Sequence, residues 1–300
     1  MNRYVNCIAH QSSEGNLLIG GKYTALFDCG MMFCAEKTIE NVKNALNGRP
    51  LDYIIMTHTH YDHIGALPFL RNEWKELRAV TCETGAAVLL KSTPRRVIRE
   101  LSIAASLAQK IDFKAEYNDD LFHADITVKD NEVISLGDLS VQVIETPGHT
   151  RDSLSFFIPE LELLILNETP GVLFADPGDG SPNAGRVYPC YLTSYNDTIN
   201  SIEKCGQIKY KSLSLPHRGV VGNKEADGIF KKAHEANKEC RDFIIGMKEK
   251  NLSEKEMLDS FFNKYASETL LSYQPKEAFL ANAGATISCT LKEFFGPSGT

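Results

Sequence analysis

The apolar run Tyr53-Ile54-Ile55-Met56 passes directly into Thr57-His58-Thr59-His60-Tyr61-Asp62-His63, a stretch that holds three of the chain's eight histidines and an aspartate. His58, His60, Asp62 and His63 cannot share one helix face, because offsets of two and five residues point in different directions at about 100° per residue. On a loop leaving a strand they can converge. His58 and His60 then present imidazoles to one cation, while Asp62 and His63, turned the other way, serve a second. A carboxylate among imidazoles suits a hydrolytic zinc, iron or manganese centre better than a closed cysteine site. The fold must therefore deliver a strand end and hold the loop after it open.

Short apolar runs before the loop, Val5 to Ile8, Asn16 to Ile19 and Tyr23 to Asp28, are separated by Gly20-Gly21 and predict a hairpin or meander. Ile39, Val42, Ala45 and Leu46 fall at helical spacing over residues 37–46, and Asn47-Gly48-Arg49-Pro50 stops that helix. After the loop come a short helix over 65–71, a strand over 79–82 and a helix over 83–90. A helical insert with its apolar positions at 97, 98, 101, 103–105, 107 and 108 follows over 93–113, packed on the outside of a sheet. Strands return at 126–128, 132–134, 139–144, 153–158 and 161–166. A Gly/Pro/Asp-rich loop occupies 169–185, a helix 194–205, a strand 212–215, and from 224 to about 295 the chain is mostly helical. The order, strands then helices twice over, predicts an α/β fold with residues 1–222 as the catalytic domain. Residues 223–300 form a helical C-terminal extension that packs on it or caps it. In that extension Phe243, Ile244, Met247, Met257, Leu258, Phe261 and Phe262 demand burial.

Composition narrows the class. With 43% hydrophobic and 24% charged residues, 300 residues make an ordinary globular core. A net charge of −7 gives no general basic surface for nucleic acid. The first residues lack the pattern of a secretory signal, and no apolar run approaches the ~20 residues that span a bilayer. A cytoplasmic protein acting on a small molecule is the expectation, with no nucleic-acid or membrane partner. Eight cysteines without a CxxC pair read as reduced, buried small apolar residues.

The HxHxDH loop resembles the signature of the metallo-β-lactamase superfamily, metallohydrolases of αββα sandwich fold. That resemblance implies further ligands in a set order. Thr146-Pro147-Gly148-His149-Thr150, after the strand over 139–144, matches the family's second histidine motif and makes His149 the third ligand of the first metal. Leu215-Pro216-His217-Arg218-Gly219 is similar to its final histidine motif and adds His217 to Asp62 and His63 on the second. One position departs. Where most members place Gly-Asp, with the aspartate bridging both metals, this chain has Asn167-Glu168 after Leu166. Glu168 is the candidate bridge; a weakened second metal, or Asp176 or Asp179 reaching back, are the alternatives.

The resemblance thus implies a binuclear metal-dependent hydrolase using a metal-bridging hydroxide. Its two divalent ions are expected to be zinc, with iron or manganese as alternatives, and Asp62 is placed to accept the proton of the attacking water. Asp28, ending its strand, is a candidate to orient a ligand histidine. Tyr191 and Tyr195, at i,i+4 spacing, read either as a substrate wall or as core packing. Arg186 and Arg218 read either as contacts for an anion or as solvated cations, and His10, His123 and His234 as filler. The length, insert and helical tail are similar to those of PqsE-like thioesterases, so a thioester or related ester is the leading substrate class. Phosphodiester or lactone hydrolysis, or a low-turnover regulatory module, stand as alternatives. The tail also offers a surface for a homodimer.

Overall fold

The computed structural model describes residues 3–10, 15–114, 116–173, 185–222, 226, 228–274 and 276–296. They fall into two compact units, one formed by residues 1–145 with 154–165, the other by 146–153 with 166–300. The described residues form mixed sheets and helices with a helical C-terminal region.

The first unit is built on β1 (Tyr4–Asn6), β2 (Asn16–Ile19), β3 (Thr24–Phe27), β4 (Tyr53–Ile55), β5 (Arg78–Cys82) and β6 (Ile126–Val128), adjacent in chain order. The first three pair antiparallel and β3 to β6 pair parallel. Gly20 turns the β2–β3 hairpin because a Cβ there would come within 2.5 Å of Leu136 Cβ and 2.6 Å of the Tyr23 carbonyl oxygen. The parallel strands need crossovers, and helices supply them: α1 (Ala35–Leu46), α2 (Tyr61–Ile64) with α3 (Leu67–Glu73), and α4 (Glu83–Leu89) with α5 (Ser92–Ala108). As expected, α1 stops at Asn47, which turns left-handed at φ 48° ahead of Gly48.

Side chains of the parallel strands alternate between two dry faces, as a sheet covered on both sides requires. Leu26 and Ile54 join Val42, Leu46, Leu67, Leu70 and Ile98 of the helices. Ala25, Phe27, Tyr53 and Ile55 join a second sheet, the antiparallel meander β7 (Val133–Ser135), β8 (Ser140–Glu145), β9 (Leu154–Ile158) and β10 (Leu163–Ile165). Phe27 and Phe156 meet there with centroids 5.2 Å apart. The insert helix ends with its last regularly spaced apolar position, Ala108, short of the 93–113 span predicted for it. Lys110 takes φ 59° and Ile111 N–H bonds back to the Ser106 carbonyl, a C-terminal cap that closes α5 at Ala108.

The second unit carries the loop around His149 and a two-stranded ribbon, β11 (Val172–Leu173) with β12 (Val187–Tyr188). It continues with α6 (Tyr195–Gly206), the hairpin β13 (Ser212–Leu215) with β14 (Gly219–Val221), and further helices. These are α7 (Ile229–Glu249), α8 (Glu254–Tyr265), α9 (Glu268–Tyr273) and α10 (Lys276–Phe295). Ser253 and Glu256 close a capping box at the start of α8. The apolar stripe of the tail is buried as its spacing demands: Ile244, Met247, Met257 and Phe261 form one core with Tyr188, Cys190, Tyr191 and Tyr195. All eight cysteines are buried and none forms a disulfide. Burial pushes the thiols of Cys7 and Cys240 up, to about 11 and about 12, so both stay protonated. Among the described residues no helix is long and apolar enough to cross a membrane.

Candidate metal centre

In the first unit the histidine loop hangs from the end of β4 and is held by its neighbours' backbones. Met56 N–H donates to the Val80 carbonyl, and the Thr57 carbonyl accepts from Leu154 N–H at 2.7 Å. The N–H groups of Cys29 and Gly30 both donate to the His63 carbonyl, at 2.7 and 2.9 Å, closing the loop onto the turn after β3. His58 and His63 are buried, with ring centroids 4.0 Å apart, and the His60 ring lies 4.6 Å from that of His58.

Asp28 organises these rings. It is buried at φ 56°, an orientation an aspartate tolerates better than most residues. Its Oδ1 accepts Thr57 N–H at 2.8 Å, and its Oδ2 accepts both the Thr57 hydroxyl at 2.7 Å and His63 Nδ1–H at 2.8 Å. Because the Thr57 proton goes to Asp28, the Thr57 oxygen is left to accept from His58 Nδ1–H at 3.1 Å. One carboxylate therefore fixes two tautomers, directly on His63 and through Thr57 on His58. Both Nε2 atoms carry the lone pair a cation needs. Asp62 sits in the first turn of α2 with Oδ2 3.9 Å from His63 Nε2. The orienting role expected of Asp28 is the one it has; the relay through Thr57 carries no signal in the sequence beyond its place beside His58.

In the second unit, His149 donates Nδ1–H to the Cys190 carbonyl at 2.7 Å, so its Nε2 also carries a lone pair. That atom faces Glu168 Oε2 at 3.3 Å, while His217 Nε2 lies 2.6 Å from Glu168 Oε1. Glu168 thus reaches both imidazoles of its unit, one oxygen to each, and the Cys190 thiol donates to Oε2 at 3.6 Å. The ligand atoms of His149, Glu168 and Cys190 lie within 4.8 Å of one another. An imidazole lone pair and a carboxylate oxygen, buried and facing each other, repel unless a cation stands between them, a second proton on the ring or a metal ion. The donor set is therefore fitted for a metal. His217 turns the β13–β14 hairpin at φ 59°, a left-handed position in which histidine is enriched.

The Asn167 position serves the loop rather than a cation. Its Nδ2 donates to Thr146 Oγ1 at 2.6 Å, its Oδ1 accepts Thr169 N–H at 2.5 Å, and Thr169 Oγ1 donates to the Thr146 carbonyl at 2.7 Å. This buried lattice sets Glu168 against the His149 loop. Asp176 and Asp179 lie outside the described residues. Cys190 went unnoticed in the sequence because its carbonyl, which every residue type carries, holds His149, and its thiol meets Glu168 only through the fold.

Tyr191 and Tyr195 both pack in the core of the second unit. Tyr191 is fully buried and shares a 2.9 Å hydrogen bond with Thr290 of α10. The Tyr195 hydroxyl accepts from Arg241 of α7 at 3.0 Å, with the guanidinium 5.0 Å from the ring centroid. Thr290 also donates to the Thr286 carbonyl, so Tyr191→Phe leaves it satisfied. That variant is expected to lose about 1 kcal/mol in urea unfolding with kcat and KM unchanged; a shift in KM would return the tyrosine to the substrate.

The family model of the metallo-β-lactamase superfamily matches residues 16–217, and the chain belongs to that superfamily. It is 26% identical over 218 residues to the metallo-β-lactamase fold-containing protein ST1585 of Sulfurisphaera tokodaii, a match covering 69% of this chain and 73% of that protein. It is 26% identical over 158 residues to a hydroxyacylglutathione hydrolase of Idiomarina loihiensis, covering 53% of this chain and 44% of the relative. A nitric oxide reductase of Moorella thermoacetica is 27% identical over 226 residues, covering 71% of this chain and half of the reductase. The fold also matches the solved structure of the metallo-β-lactamase family protein TTHA1429 of Thermus thermophilus, with a TM-score of 0.60 at 18% identity over 99% of this chain and 95% of the other.

Proposed function

We propose that the protein is a two-metal hydrolase of thioesters or related esters. In this reading His58, His60 and His149 hold one divalent cation, and Asp62, His63, Glu168 and His217 hold a second. The observation that carries it is the repeated arrangement in which Nδ1–H is tied back by Asp28, Thr57 or the Cys190 carbonyl. Each of these imidazoles then turns a lone pair toward a carboxylate or a neighbouring ring. Packing alone gives three histidines no reason to share one tautomer. Zinc is the first choice for such a set, and iron or manganese accept the same donors.

When bound, two such cations make water acidic enough to attack near neutral pH and polarise the scissile carbonyl. The chain's own residues do the rest. Asp28 and Thr57 hold His58 and His63 in ligating tautomers, and Asp62 is the carboxylate beside the reacting water that can take its proton. In the net reaction water oxygen bonds to the acyl carbon, the C–S bond breaks, and the thiol leaves with the proton. The relatives named hydroxyacylglutathione hydrolases support this substrate class.

Metal analysis of the purified protein, followed by an assay on acyl-CoA and hydroxyacylglutathione thioesters, bis(p-nitrophenyl) phosphate and lactones, separates the parts of the proposal. About two cations per chain and thioester turnover above the other substrates are expected. Well below one cation per chain removes the centre. Two cations with turnover confined to the diester or the lactones removes the thioester and keeps the centre.

A further inference from the structure

Cys190 brings two different groups to the centre. Its backbone carbonyl holds His149 Nδ1–H, and its sulfur stands 3.6 Å from Glu168 Oε2, the same oxygen that lies 3.3 Å from His149 Nε2. All three side chains belong to the second unit and all are buried. Any residue type could supply the carbonyl, so the backbone bond does not account for the sulfur. The distances do. Zinc bonds thiolate sulfur at about 2.3 Å, and carboxylate oxygen and imidazole nitrogen at about 2.1 Å; a tetrahedral ion therefore sets S and O roughly 3.6 Å apart, and N and O roughly 3.4 Å apart. The 3.6 and 3.3 Å separations match those two edges. Cys190 is also the only cysteine in a candidate metal group among the described residues.

We propose that the Cys190 sulfur is a ligand of the cation that His149 binds, alongside Glu168, and that it raises the preference of this site for zinc over manganese. The inference rests on the reading of these residues as metal ligands. On binding, the thiol proton is released to solvent and the sulfur bonds the metal as thiolate. Thiolate is a soft donor that favours zinc, whereas a carboxylate oxygen suits manganese. A thiol that only donates to the carboxylate has the same S···O distance but gives the metal no sulfur bond, and that difference is measurable.

The test loads the full-length protein with cobalt(II), measures bound cobalt, and reads the near-ultraviolet thiolate-to-cobalt charge-transfer band on the same sample. The band is expected in the parent and absent from Cys190→Ser and Cys190→Ala at saturating cobalt. Both variants keep the backbone carbonyl that holds His149, so they remove the sulfur alone. Competition titrations are expected to show the zinc-to-manganese affinity ratio falling about tenfold or more in each. Bound cobalt without the band, or a band that survives in a folded, cobalt-loaded variant, overturns the sulfur ligand and leaves the metal centre standing. A ratio within twofold of the parent overturns the selectivity, and no bound cobalt removes both the ligand and the centre. If neither variant folds, cadmium NMR of the parent decides: a sulfur donor moves the resonance well downfield of sites built from nitrogen and oxygen alone, and a resonance within the nitrogen and oxygen range overturns the proposal.

Discussion

Replacing Asp28 by asparagine is expected to weaken metal binding by roughly 10- to 100-fold while the protein stays folded. The substitution changes one atom. Asparagine tolerates the left-handed φ of 56° at this position, and its Oδ1 can still accept Thr57 N–H. Where Oδ2 accepted two protons, however, an NH2 group now donates. His63 must answer with the lone pair on Nδ1 and carry its proton on Nε2. The Thr57 hydroxyl must accept from the amide, and so turns its own proton toward His58 Nδ1. That reverses the second ring as well. Two imidazoles thereby move from the ligating to the non-ligating tautomer, and metal binding must first undo the network. Chelator competition measures the affinity, and long-range ¹H–¹⁵N correlation on metal-free protein reads the tautomers. Affinity within twofold of the parent, with both rings still protonated on Nδ1, would sink the relay.

What the sequence made legible divides along a physical line. His58 and His60 follow the end of β4, Asp62 and His63 lie in the short α2, and His149 and His217 sit in loops after strands, places that a local motif marks in the sequence without help from distant packing. The parallel strands were readable for a similar reason, since burial on both faces leaves a near-continuous apolar run. Elements that depend on non-local burial were not. Tyr191 and Tyr195 have the same i,i+4 spacing whether they line a cleft or a core, and their bonds to α10 and α7 are not written in that spacing. The end of α5 followed from a cap made by Lys110, a residue with no helix-stopping signature. The Cys190 carbonyl and the Thr57 hydroxyl act through hydrogen-bond direction, which residue identity alone does not encode.

Gly148 marks the point where the site is most exposed to a single added carbon. It takes φ 139°, a region that L side chains rarely adopt, and its carbonyl accepts from the N–H groups of Leu192, Thr193 and Ser194 and from the Thr193 hydroxyl. A Cβ would overlap Thr198 Oγ1 and come within 2.7 Å of Thr198 Cα and 2.8 Å of Thr198 N, which belong to the first turn of α6. Backbone strain and overpacking each cost about 1–3 kcal/mol, so Gly148→Ala is expected to lose about 3–5 kcal/mol in denaturant unfolding. Trimming the neighbour does not help: in Gly148→Ala with Thr198→Ala the hydroxyl is gone, but the α6 backbone still stands inside contact distance. The relief available is for the 146–150 loop to back away, which breaks the bonds to the Gly148 carbonyl and carries His149 off the Cys190 carbonyl and Glu168. Metal content is therefore expected to fall together with stability. A double variant as stable as the parent, or a Gly148→Ala protein within 1 kcal/mol of it, would mean that the loop has slack and that Gly148 does not hold His149 in place.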